Sequence, residues 1–211
     1  MNIITGYSRV FGVKKTLTFR TSVGTADNVG TYTFSNIAIG AESPDRRVIV
    51  GVGSAGASKD ISGVTINGIV ATPIQNVLHF GGNNICLGLF VANIPTSITA
   101  DIVVTHTGAK AWQGIGVWTA TGLTSDTPLA SGNSTLLNPI TKTLLTSNGG
   151  FCVAFAHGIT TNFNWNNMNK RFDEIVDAGR QSGADASTIV NNITINCSSD
   201  TTNMGVVGAT W

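Results

Sequence analysis

Reactive groups are scarce in this chain of 211 residues, which holds three histidines, three cysteines and two glutamates. His79, His106 and His157 each follow or end an alternating apolar run, and none stands at metal-ligand spacing from a cysteine or another histidine. There is no His-Glu-x-x-His, Cys-x-x-Cys or Gly-x-Ser-x-Gly. Glycoside hydrolysis needs two carboxylates flanking one bond. The available pairs are Glu42 with Asp45 and Asp173 with Glu174, and in the second the neighbours would face opposite sides of a strand. Asn162, Asn164, Asn166, Asn167, Asn169 and Asp173 offer oxygens to Ca²⁺, but one carboxylate among six is too little charge for a tight site. Gly51-Val52-Gly53-Ser54-Ala55-Gly56 has the composition of a phosphate loop without its Gly-Lys-Ser/Thr ending, so a strand end and turn are expected there. Trp112 and Trp118 lie within an apolar alternation and are expected in the core. Trp165, among the asparagines, is the candidate for stacking on a sugar. These residues point to no catalytic group, no metal and no cofactor.

The elements that would carry such groups are strands. Thr (28), Gly (25), Asn (20) and Ser (16) dominate, and only 11% of residues are charged against about 25% in an ordinary globular chain. Thr favours strands, and Gly, Asn and Ser favour turns. From Thr16 onward the period is two: Leu17 and Phe19, then Tyr32 and Phe34, then Val48, Val50 and Val52 each share a face. Ile49, Gly51 and Gly53 occupy the opposite face of that third run, which predicts a strand covered on both sides. Val64-Thr65-Ile66 and Ile69-Val70-Ala71 flank Asn67-Gly68, the signature of a type I′ hairpin. Similar alternations cover Ile85–Val91, Trp112–Trp118, Phe151–Phe155 and Ile193–Ile195. Residues 120–140 read as a surface loop and residues 171–180 as extended. Ten to twelve short strands predict an all-β fold, an antiparallel β-sandwich or jelly roll, with one domain over 27–211 and no repeat of fixed period. No apolar run reaches the length that spans a membrane as a helix. Cys86, Cys152 and Cys197 are expected as buried thiols rather than disulfides.

Charge is unevenly placed. Residues 1–26 hold Arg9, Lys14, Lys15 and Arg20 and no acid, whereas the rest of the chain holds eight basic and eleven acidic residues. The overall balance of +1 gives no reason to expect nucleic acid as a partner. Ile3, Ile4, Tyr7 and Phe11 are interleaved with those cations. Residues 1–26 are therefore expected to be a basic arm that docks on an acidic surface of another chain.

Three stretches carry a resemblance: Tyr32–Gly40 followed by Arg46–Val50, then Ile61–Gly68, then Gly114–Trp118. Their order and spacing resemble β-sandwich virion proteins of tailed bacteriophages, a group that includes capsid decoration (cement) proteins, head fibres and tail proteins. The resemblance implies a non-enzymatic virion protein on the capsid surface. Its partners would be the major capsid protein and copies of itself in a cyclic homotrimer, with no membrane involved. The alternative it implies is a tail-tip or head-fibre domain that binds host surface glycans.

Overall fold

The computed structural model describes residues 14–160, 162–189 and 191–211, and among them there is no helix. The first half contributes β1 (Thr16–Thr25), β2 (Val29–Ala38), β3 (Arg47–Ala55), β4 (Ile61–Ile66), β5 (Ile69–Val70), β6 (Thr72–Phe80), β7 (Ile85–Asn93), β8 (Thr99–Lys110) and β9 (Trp112–Thr121). The second contributes β10 (Ala130–Thr135), β11 (Ile140–Leu145), β12 (Gly150–Gly158), β13 (Asn164–Asn166), β14 (Asn169–Val176), β15 (Gly179–Ile189), β16 (Asn192–Ser198) and β17 (Met204–Thr210). Asn67 and Gly68 both take positive φ, 51° and 77°, so the β4–β5 turn is the type I′ hairpin the sequence announces.

All pairings are antiparallel, and they nest. β1 pairs β9, β2 pairs β8 and β3 pairs β7; after the linker, β10 pairs β17, β11 pairs β16 and β12 pairs β15. Each half is thus a long hairpin rolled into two sheets, the plan of a jelly roll. The first half gives sheets β1-β9-β3-β7-β6 and β2-β8-β4-β5; the second gives β10-β17-β12-β15-β14 and β11-β16-β13. Strand for strand, apart from the two-residue β5, the order is the same.

The four sheets stack in four layers with three cores between them. Val48, Val50, Val52, Ile115 and Val117 pack outward against Tyr32, Val64, Ile102 and Val104 of the β2-β8-β4-β5 sheet. Ile49, Leu87, Leu89 and Trp118 pack inward against Phe151, Val153, Phe155 and Val207 of the second half. Cys152, Ala154, Ala156 and Val206 then pack on Ile140, Leu144, Ile193 and Ile195 of the last sheet. The two central sheets face one another with β1 over β14, β9 over β15, β3 over β12, β7 over β17 and β6 over β10. Since β6 matches β14 and β1 matches β10 in the repeated plan, the halves are related by a pseudo-two-fold axis running along the strands between β3 and β12.

A patch of glycine makes the close approach of these sheets possible. Gly51 is paired with Gly116 and Gly53 with Gly114, so four glycines form a floor on the inner face of the first half. A Cβ at Gly53 would lie 2.6 Å from the His157 ring, and one at Gly116 would lie 2.6 Å from Phe172. At Gly51 it would collide with Phe155 and at Gly114 with Gln181. The second half supplies four bulky side chains for four holes.

The antiparallel β-sandwich architecture holds, but one sandwich over residues 27–211 gives way to two in series. The 1–26 segment also divides. Thr16–Thr25 within it form β1, the edge strand of a central sheet, because Leu17, Phe19 and Val23 alternate into the cores. The 120–140 stretch contains β10, a partly exposed edge strand with no apolar alternation to announce it. Residues 171–180 are extended, as expected, in the β14–β15 hairpin.

Candidate functional site

Of the residues the sequence singles out, Ile3, Ile4, Tyr7, Arg9 and Phe11 lie outside the described residues. Arg20 is anchored within β1: its Nε donates to Thr119 Oγ1 at 2.7 Å, its guanidinium lies against Gly40, and burial lowers its pKa. It belongs to the sandwich and is not part of a free arm. Lys14 is exposed, while Lys15 is half-buried and donates from Nζ to Ser147 Oγ at 2.6 Å. Neither lysine has a carboxylate partner among the described residues. Trp165 is half-buried against the outermost core and its indole N–H donates to Ser182 Oγ at 2.8 Å, leaving a reduced face for a sugar. Trp112, Trp118 and Trp211 are buried.

The reactive groups are drawn into internal contacts. His106 Nε2 bonds Gln113 Oε1 at 2.7 Å, and burial lowers its pKa. His157 is enclosed between the halves, 4.5 Å in ring centroids from Trp112, and burial followed by the charge of Lys110 brings its pKa to about 3. Lys110 is itself fully buried, its ammonium donating to the carbonyls of Ala57 at 2.5 Å and Asn84 at 2.7 Å. Burial lowers its pKa and raises that of Cys86, whose thiol donates to Lys59 O at 3.0 Å. Cys152 and Cys197 are likewise buried thiols pushed upward by desolvation.

The carboxylate pairs serve the fold. Glu42 accepts from the Ser97 amide at 2.7 Å. Asp45 accepts from Ser43 Oγ at 2.5 Å and from the Gly122 amide at 2.6 Å, contacts that lower its pKa. Asp173 holds Arg180 at 2.6 Å and Lys170 at 3.2 Å, which turns the asparagine-rich stretch into an ion-paired hairpin. Glu174 accepts from Ser22 Oγ at 2.5 Å and so ties β14 to β1. No group of three or more His, Cys, Asp or Glu among the described residues is placed to hold a metal ion. Arg46 is 1% exposed and donates to carbonyls of Gly40, Ala41, Ile94, Thr96 and Ser97 at 2.6–2.8 Å. Arg47 pairs with Asp126 of the linker.

Among the open depressions of the surface, two flank the 122–129 linker at the junction of the halves and form a groove there. One lobe, about 300 Å³, is walled by Lys15, Leu123, Pro128, Leu129, Ser147 and Trp211. A second, about 330 Å³, lies across Thr127, Pro128 and Leu129 and reaches Pro73 and Ile74. Lys15 stands in its wall and Lys14 precedes it in the chain, because the two run antiparallel beside Gly122, continuing the Thr16–Thr121 register of β1 and β9. Gly122 holds φ at 78°, and a side chain there would collide with the Lys14 carbonyl. No local pattern announces this groove, since its walls come from five separated segments. Lys110 was legible: it is in phase with Ile102, Val104 and His106 on the inward face of β8.

No protein-family model matches the chain, and no curated protein does. Among solved structures it is similar to the VP2 subviral particle of infectious bursal disease virus, at 10% identity over 92% of this chain and 40% of that one, with a TM-score of 0.27. It is also similar to yeast LTA4 hydrolase in complex with bestatin, at 9% identity over 79% of this chain and 25% of that one, with a TM-score of 0.21. The chain therefore spans two fifths or less of either protein.

Proposed function

We propose that this chain is a non-enzymatic structural protein of a tailed-phage particle, a capsid decoration (cement) protein that binds the shell and neighbouring copies of itself in a cyclic trimer. The observation that carries this reading is the pair Lys14 and Lys15. Neither is compensated by a carboxylate among the described residues, and Lys15 lines a largely apolar groove where the basic segment joins the sandwich. Cations beside apolar surface suit contact with an acidic protein partner, in which charge orients the encounter and apolar burial supplies affinity. The four-layer stack supports the same reading, because His106, His157, the three cysteines and the carboxylates of Asp45, Asp173, Glu174 and Asp185 are engaged in contacts within and between its layers. Exposed Val70, Leu78, Ile98, Leu137 and Ile175 on outer strands and loops add apolar surface for neighbours.

The test is copy number in purified virions, measured by quantitative mass spectrometry against the major capsid protein. A ratio near one per shell subunit is expected. A few copies per particle would move the protein to the tail or a vertex, and absence from the virion would overturn the reading.

A further inference from the structure

Building on the function proposed above, we infer that the junction groove is the docking site for an extended segment of the shell protein that combines acidic and apolar side chains. Its shape argues for a chain rather than a compact ligand. Two pockets of about 300 and 330 Å³ flank the linker and share Thr127, Pro128 and Leu129, so an extended chain laid across those three residues reaches both, from Trp211 and Ser147 on one side to Pro73 and Ile74 on the other. Its apolar surface comes from Leu123 and Trp211, both buried, from half-buried Pro128 and Ile74 and from exposed Pro73 and Leu129, with Thr72, Thr127 and Ser131 adding hydroxyls. Its charge sets the partner's sign. Lys15 is half-buried in the wall, where its ammonium donates to the Ser147 hydroxyl, and Lys14 is exposed beside it. The nearest acid in the second lobe, Asp126, is neutralised by Arg47. A half-buried ammonium without a counter-ion gains more from an incoming carboxylate than a fully solvated one would.

Titrating acetyl-Leu-Asp-Leu-Asp-Leu-amide into the full ¹⁵N-labelled chain tests this directly. The amide signals of Leu123–Leu129 and Ser147 are expected to shift and saturate. The affinity should fall at least fivefold in Lys15→Glu and in Leu129→Ser, hold in Lys142→Glu on the far sheet, and weaken in 0.5 M salt. Equal binding of acetyl-Leu-Lys-Leu-Lys-Leu-amide, or shifts elsewhere only, would overturn the inference. So would binding that appears only after deletion of residues 1–13, since the groove would then belong to that segment. Co-sedimentation with purified shells separates the two proposals. If the wild type binds shells and Lys15→Glu binds equally well, the groove assignment falls while the function stands. If the wild type does not bind while the acidic peptide does, the function falls while the groove's chemistry stands.

Discussion

At the scale of single residues, the interface between the halves is a fit of side chains into glycine holes, and His157 over Gly53 shows both its tightness and its cost. Overpacking a close-packed core costs about 1–3 kcal/mol, so Gly53→Ala is expected to destabilise by about that amount in urea unfolding. In a His157→Ala background the same change meets no ring, and less than half of the penalty should remain. An unchanged penalty would show that backbone strain, not this contact, is what the glycine relieves. His157 also sets an acid limit. Its folded pKa of about 3 lies below the ordinary 6.5, so the folded state holds it neutral while the unfolded chain takes up a proton. That contribution is complete above pH 6.5 and is lost as pH falls toward 3, at up to about 1.4 kcal/mol per pH unit. Both ring nitrogens lack partners, so His157→Leu surrenders no hydrogen bond and should flatten stability between pH 6.5 and 4.5. A variant as acid-sensitive as the wild type would place the sensitivity in other groups, of which His106 has the same sign.

At the scale of elements, strands with an apolar alternation were legible and strands without one were not. The Ile49, Gly51, Gly53 face of β3 was readable as a second covered side, and the Asn67-Gly68 turn as a type I′ hairpin. β10 escaped because an edge strand with both faces partly wet carries no binary pattern. β1 was submerged in the arm because four cations in 26 residues outweighed the alternation of Leu17, Phe19 and Val23. Arg46 reads in sequence as a charge at a strand start, yet it clamps the segment before β3 to the one after β7 by bonding carbonyls of Gly40, Ala41, Ile94, Thr96 and Ser97. Such a convergence of backbone acceptors on one planar fork has no local signature. Arg46→Lys keeps the charge but cannot span five carbonyls, and the orphaned acceptors should cost about 3 kcal/mol or more. A calorimetric midpoint within 2 °C of wild type would show that water replaces the guanidinium without penalty.

At the scale of the whole molecule, two jelly rolls of one plan meet about a pseudo-two-fold axis as the subunits of an isologous dimer do, but within one chain. The repeat is invisible at fixed period because matched positions have diverged in opposite senses. Gly51 and Gly53 on β3 lie over Phe155 and His157, which stand at the corresponding places on β12. The first half keeps the holes and the second the knobs, so neither inner face complements itself. Polar contacts reinforce the join: Asp185, 2% exposed, takes the Trp118 indole N–H at 3.0 Å across the interface while gripping Arg171 through two bonds of 2.8 Å. If this surface, and not the 122–129 linker, holds the halves together, covalent continuity is dispensable once the chain has folded. A protease site placed at 124–126 in the full chain and cut after purification should leave one particle in size-exclusion chromatography, with a single cooperative unfolding transition. In the cut protein that transition should fall as the sample is diluted, because unfolding now releases two chains instead of one. Elution of separate halves under native conditions would show that the linker is what joins them, and that the glycine floor only tolerates the contact.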